Sequence, residues 1–155
     1  MQVGDKIAFD RYQWRILDIQ YDSALIITDK IVERRAYHNK YKDTTWHDCE
    51  LRKYLNGEFY DTFDAANQSR ILRSANKNMD NPWYDTIAGE ESQDNIFLLS
   101  LDEVCRYFGD STDKLYNRGN NRYWKKNDEN NPKRLARLQG EMYCSWWWLR
   151  SPGRH

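Results

Sequence analysis

Apolar and polar positions alternate near the start of the chain. Ile7-Ala8-Phe9 and Trp14-Arg15-Ile16-Leu17-Asp18-Ile19 flank the polar Asp10-Arg11-Tyr12-Gln13. A period of two around a polar turn predicts a hairpin. Tyr21-Asp22-Ser23 makes a second turn into Ala24-Leu25-Ile26-Ile27-Thr28-Asp29, so the three pieces predict an N-terminal β-meander. The spacing then changes. Leu51, Tyr54 and Leu55 fall three and four apart, which predicts a helix with Thr45 as N-cap, Trp46-His47-Asp48 in its first turn and Asn56-Gly57 as its stop. A second helix is predicted over residues 64–74, with Ile71 and Leu72 on its buried side. Asn95-Ile96-Phe97-Leu98-Leu99 reads as a buried strand. It runs into Ser100-Leu101-Asp102-Glu103, a capping box for a third helix closed by Phe108-Gly109. From 110 to 140 the pattern is irregular and polar.

The run Trp146-Trp147-Trp148 places a large ring on both faces of any strand, because side chains alternate across it. Each ring buries roughly 150–250 Å². The run therefore predicts a central strand covered on both sides, with Trp14, Trp46, Trp147 and Trp148 in the core. Arg150 just beyond it fits a structural role, capping carbonyls or pairing with Asp18 or Asp48. Strands first and last with helices between predict an α+β fold rather than a βαβ parallel sheet. The length of 155 residues predicts a single domain over 1–155.

Charge and cysteine content narrow the classes. Basic and acidic side chains number 24 each, so the formal net charge is zero and the surface as a whole is not that of a nucleic-acid binder. No window approaches the ~18 apolar residues of a membrane helix, and no membrane association is expected. Cys49, Cys105 and Cys144 are odd in number and lack CxxC spacing, which favours a reduced, cytoplasmic chain over a disulfide framework or zinc site.

Five ordered blocks carry a family resemblance. They are Trp14-Arg15-Ile16-Leu17-Asp18; Ala24-Leu25-Ile26-Ile27-Thr28-Asp29; Thr45-Trp46 with Leu51-Arg52-Lys53-Tyr54-Leu55-Asn56-Gly57-Glu58-Phe59-Tyr60; Ile96-Phe97-Leu98-Leu99-Ser100; and Trp147-Trp148-Leu149-Arg150-Ser151-Pro152-Gly153. This series resembles the DUF6273 family of bacterial and phage-associated proteins. The resemblance implies a C-type-lectin-like fold, the scaffold shared with formylglycine-generating enzymes, and no particular activity. It also implies further Gly-rich strands after the Trp block, so that the domain is incomplete at its C-terminus. An uncovered C-terminal strand would then support self-association.

Several groupings could carry chemistry. His47-Asp48-Cys49 holds a base, an acid and a nucleophile, yet consecutive helical residues diverge by about 100° and cannot form a triad among themselves. His38 would have to come in from a loop. The comparison with formylglycine-generating enzymes points to Cys144, but a cysteine beside the Trp strand reads as a small core side chain. The loop between 76 and 95 carries Asp80, Asp85, Glu90, Glu91 and Asp94; oxygen-rich loops hold Ca²⁺, with Asp80, Asp85 and Asp94 as the candidate ligands. No other cofactor is expected. The segment 114–137 carries eight basic residues, among them Arg122 and Lys125, against two acidic ones. With Tyr116, Tyr123 and Trp124 interleaved, it has the stacking and cationic chemistry of a single-stranded nucleic-acid groove or of a face for an acidic partner.

The reading favoured is a non-enzymatic module that binds a protein or small ligand on the irregular loops 76–95 and 110–140. Trp83, Tyr84, Tyr123, Trp124, Arg122 and Lys125 are its candidate contacts. An enzyme related to formylglycine-generating enzymes and a nucleic-acid binder are the alternatives.

Overall fold

Lys6–Phe9 (β1), Tyr12–Gln20 (β2) and Ser23–Thr28 (β3) form a three-stranded antiparallel sheet, in chain order, in the computed structural model, which describes residues 1–109 and 129–153. The expected meander is therefore present. Its first turn is tighter than the four polar residues imply: Phe9 already faces Tyr12 and Ala8 faces Gln13 across the ladder. Asp10 takes up the reversal at φ 53°, a left-handed conformation that Asp tolerates better than most residues. On β2 the alternation breaks where the register shifts between Ile16 and Asp18. Leu17 is the extra residue of this bulge, which lets Ile16 and Leu17 both be buried although they are neighbours. Trp14 is buried as expected, edge-on to Phe9 and Tyr12, and its indole N–H donates to the Phe9 carbonyl at 2.9 Å.

The sheet belongs to the first of two compact units, residues 1–34 with 132–147. Within this unit the returning chain is held by single backbone bonds rather than a ladder. Ile31 donates to Arg137 and Ser145 to Ala136, each at 2.9 Å, and the Arg15 guanidinium reaches the Lys133 carbonyl at 3.3 Å.

The second unit spans residues 35–131 with 148–155. It carries the helices Glu50–Asn56 (α1), Glu58–Asp61 (α2), Ala65–Gln68 (α3) and Leu101–Tyr107 (α4), and a two-stranded antiparallel ribbon of Ser74–Asn76 (β4) and Ser92–Asp94 (β5). Asn131–Arg134 forms a further short helix (α5) where the chain passes from one unit to the other. The chain is thus α+β, with sheets of three and two strands among the described residues. No helix among the described residues is long and apolar enough to cross a membrane.

The α1 helix stops at Gly57 as expected but starts later than Thr45. The Thr45 carbonyl closes a turn, accepting from Asp48 and Cys49, and Cys49 is the N-cap, its Sγ accepting from the Arg52 N–H at 3.3 Å. The expected long second helix is cut to one turn. Asp64 caps it, but Arg70 and Ile71 bond back only three residues and the Ser69 hydroxyl bonds the Ala66 carbonyl, so local polar contacts end the helix. Leu72, expected to be buried, is 62% exposed, and Ser74 already belongs to β4.

Residues 95–99 are not a strand. Their backbone partners are side chains and a single amide: Asn56 Oδ1 accepts from Asn95 and Ile96, while the Leu98 and Leu99 carbonyls accept from the Arg150 guanidinium and backbone N–H. The Trp run is not a core strand either. Trp147 belongs to the first unit and Trp148 to the second, and only Ser145 makes a bridge, to Ala136. Trp146 is 71% exposed and Trp148 39%, and Trp147 is half-buried. Trp147 donates by its indole N–H to the Arg134 carbonyl at the end of α5, and Trp148 to the Arg35 carbonyl. Trp46, in contrast, is fully buried with Cys49 and Leu51, flanked by Tyr37, Tyr54, Leu55, Phe97 and Leu98.

The capping box at α4 is complete: the Ser100 hydroxyl accepts from the Glu103 N–H, and Glu103 Oε2 accepts from the Ser100 N–H. Gly109 follows the helix at φ 86°, where glycine carries no steric penalty. Arg150, buried at 4% exposure, makes a two-pronged ion pair with the same Glu103 and donates to the Leu98 carbonyl at 2.8 Å. Its role is structural, as expected, but the partner is neither Asp18 nor Asp48. A lysine lacks the planar fork of two nitrogens that meets both carboxylate oxygens side by side while reaching the carbonyl. Arg150→Lys is therefore expected to lower stability by about 1–3 kcal/mol in urea denaturation. Arg106→Lys, at an exposed position on the same helix, should stay within about 0.5 kcal/mol.

Candidate functional site

β4 and β5 pair over three positions, Ser74 with Asp94, Ala75 with Gln93 and Asn76 with Ser92, so the loop 77–91 leaves and returns at one point of the second unit. Two asparagines and an aspartate brace it from within. Asn78 Nδ2 donates to the Glu90 carbonyl at 2.6 Å, Asp80 Oδ1 accepts from the Ala88 N–H at 2.9 Å, and the Asn81 N–H donates to the Thr86 carbonyl at 2.9 Å. Asn81 is buried and is the pivot. Its Oδ1 accepts from the Trp83 N–H at 2.9 Å, and its Nδ2 donates to the Pro152 carbonyl at 2.8 Å. Gly89, at φ 83°, lies so close to Thr45 that an added Cβ would sit 2.8 Å from its methyl carbon.

Asn78, Met79, Asp80, Asn81, Pro82 and Asp85 line an open depression of about 470 Å³ on this loop. Asp85, one of its lining residues, is in the left-handed region at φ 56°. Met79 is 54% exposed and Ile87 76%. The loop therefore combines a bonded interior with two outward apolar side chains.

The candidate contacts fare differently. Trp83 is buried against Leu101 and Cys105, and the half-buried Tyr84 packs on the same cluster with Leu149, because this loop covers α4. Arg122, Tyr123, Trp124 and Lys125 lie outside the described residues. Of the described part of the basic segment, Lys133 and Arg137 are exposed and Arg134 is buried.

The three acidic candidates are not brought together. Asp80 and Asp85 line the depression, but Asp94 has no exposed surface. Its Oδ2 accepts from Trp46 Nε1 at 3.0 Å, Asn76 Nδ2 at 2.9 Å and Ser92 Oγ at 2.7 Å, and its Oδ1 accepts from Arg52 Nε at 2.6 Å. Those bonds leave the carboxylate little capacity for a metal. Among the described residues no three His, Cys, Asp or Glu side chains are placed to hold one. Burial opposes the Asp94 charge, but the bonds from Trp46, Ser92, Asn76 and Arg52 outweigh it and hold the carboxyl below its ordinary range.

His47-Asp48-Cys49 does not converge either. His47 Nδ1 lies 2.9 Å from Asp48 Oδ1, and this bond is the main reason the Asp48 carboxyl is lowered. Cys49 points the other way. It is fully buried, spends its sulfur on the α1 cap, and is pushed up by burial, the reverse of an activated nucleophile. Tyr37 beside it is raised as well, chiefly by burial. Cys144, expected in the core, is exposed, because the segment around it is not a covered strand.

A sequence model of the family described as "Domain of unknown function (DUF6273)" matches residues 21–155. The chain belongs to the DUF6273 family. The match begins at the turn between β2 and β3 and takes in α1, the braced loop, the α4 cap and the Trp–Arg–Pro segment. No curated protein and no solved structure matches this DUF6273 chain. The residues that sequence reasoning missed in it are Asn78 and Asn81, which hold the loop, and Met79 and Ile87, which it presents. Asn81-Pro82 was the available signal, since asparagine before proline favours a side-chain-bonded turn.

Asp94→Ala leaves four donors unmet and is expected to cost about 3–5 kcal/mol in urea denaturation. A lowered folded-state carboxyl contributes stability above the unfolded value near ~3.9 and loses it as pH falls through the folded one. The acid-induced loss of stability should therefore be steeper in the wild type than in Asp94→Ala. With a thiol reagent such as Ellman's, Cys144 should react at once in the native protein, and Cys49 and Cys105 only on unfolding.

Proposed function

We propose that this DUF6273 chain is a non-enzymatic binding module whose contact surface is the loop 77–91. The observation that carries the reading is the pairing of a loop cross-braced by Asn78, Asp80 and Asn81 with the outward Met79 and Ile87. A loop already ordered before contact gives up little conformational freedom on binding, so modest apolar and polar contacts convert into affinity. The depression beside these residues offers amides and carboxylates for orientation. A C-type-lectin-like scaffold is the finer reading of the α+β fold that goes with this function. It is supported by a long irregular loop carried between two short strands, the usual place for recognition on a rigid frame.

The test uses a panel of immobilised oligosaccharides and peptides, read by surface plasmon resonance, with mass spectrometry of the recovered ligand. Saturable binding to at least one member without chemical change is expected, and Met79→Asp with Ile87→Asp should weaken it by about tenfold or more. Turnover of the ligand, unchanged binding by the variant, or no binding across the panel would overturn the reading.

A further inference from the structure

We propose that His47 is a proton-operated clasp that fastens the loop 77–91 to the turn ahead of α1. The ring stands between two carboxylates from different parts of the second unit. Nδ1 is 2.9 Å from Asp48 Oδ1 in its own turn, and Nε2 is 3.9 Å from Glu90 Oε2 on the loop. A neutral imidazole carries no charge, and Glu90 at 3.9 Å lies beyond hydrogen-bond distance from it, whereas the imidazolium is a cation that attracts both carboxylates. The contact across to Glu90 is therefore an ion pair only in the protonated form.

The surroundings suit a clasp. The Glu90 carbonyl is held by Asn78 Nδ2 at 2.6 Å, so a pull on this residue is passed to the other limb of the loop. One residue earlier, Gly89 lies against Thr45, which brings the loop within reach of the 45–48 turn without any help from charge. Among the described residues, Arg52 and Lys53 of α1 are the cations that act on Asp48 beside the ring. Arg52 donates to the His47 carbonyl at 2.9 Å and commits its Nε to Asp94, and Lys53 reaches Glu50 at 3.1 Å. Neither cation is bonded to the ring. Among the described residues, Asp48 and Glu90 are the carboxylates paired with the ring.

Protonation thus adds a second attachment of the loop to the frame, and deprotonation removes it. The consequence for binding, tighter contact in mild acid, rests on the reading of this loop as the contact surface; the clasp itself does not.

The experiment needs no ligand. Backbone amide order parameters and relaxation dispersion of residues 86–91 are measured by NMR on the full chain at about pH 5.5 and about pH 8, either side of ordinary histidine titration near 6.5. In the wild type, raising the pH is expected to lower the order parameters by about 0.1 or more, or to switch on dispersion, at these positions. Glu90→Gln and His47→Gln should show no such change. Glu90 is exposed, so its variant keeps the packing and carries the test by itself if His47→Gln does not fold. A loop indifferent to pH in the wild type, or a pH response kept in Glu90→Gln, would overturn the clasp. Neither result bears on whether the loop binds a ligand.

Discussion

The second unit is organised around one carboxylate. Asp94 is fully buried, and a charge in that position is tolerated only where its lone pairs are met. The donors come from four places: the turn before α1 through Trp46, α1 through Arg52, the end of β4 through Asn76, and the start of β5 through Ser92. One charge therefore sets where the helix stands against both ends of the loop 77–91. The bonds also make the anion the favoured state, so the lock holds above the acid range and weakens within it.

A second ion pair, between the buried Arg150 and the half-buried Glu103, holds the same unit. Glu103 completes the α4 capping box and at the same time receives the Arg150 guanidinium. The chain after Arg150 continues the grip: Ser151 Oγ accepts from the Leu101 N–H, and the Pro152 carbonyl accepts from Asn81. The segment that reads in sequence as the end of a core strand is instead a strap from the helix cap to the loop. The loop is fixed by side-chain hydrogen bonds at its ends and across its middle, although it has almost no regular structure of its own.

This arrangement bears on chemistry. The cysteine closest to a histidine in sequence is consumed as a helix cap, and the histidine faces two surface carboxylates rather than the thiol. What the loop offers outward is a methionine, an isoleucine and a depression of amides and carboxylates. Such a surface suits recognition better than bond-making, and it is the basis for proposing a binding module.

Local signals were legible in the sequence. The meander followed from period-two alternation, the Ser100–Glu103 cap from a three-residue spacing, the α1 stop from Asn56-Gly57, and the burial of Trp14 and Trp46 was expected as well. Each depends on residues a few positions apart. The family resemblance was legible too, as was a structural role for Arg150. The tertiary structure alone decided the pairings over distance: Arg150 with Glu103, 47 residues away, and Asp94 with Trp46, 48 residues away. It also decided that 95–99 is bonded by side chains instead of a ladder, that Trp83 is core, and that Trp146 is exposed while Trp147 and Trp148 belong to different units. Burial of a charge or a ring depends on which distant groups meet its polar atoms and cover its surface. That is a property of the assembled chain, and no window of sequence contains it.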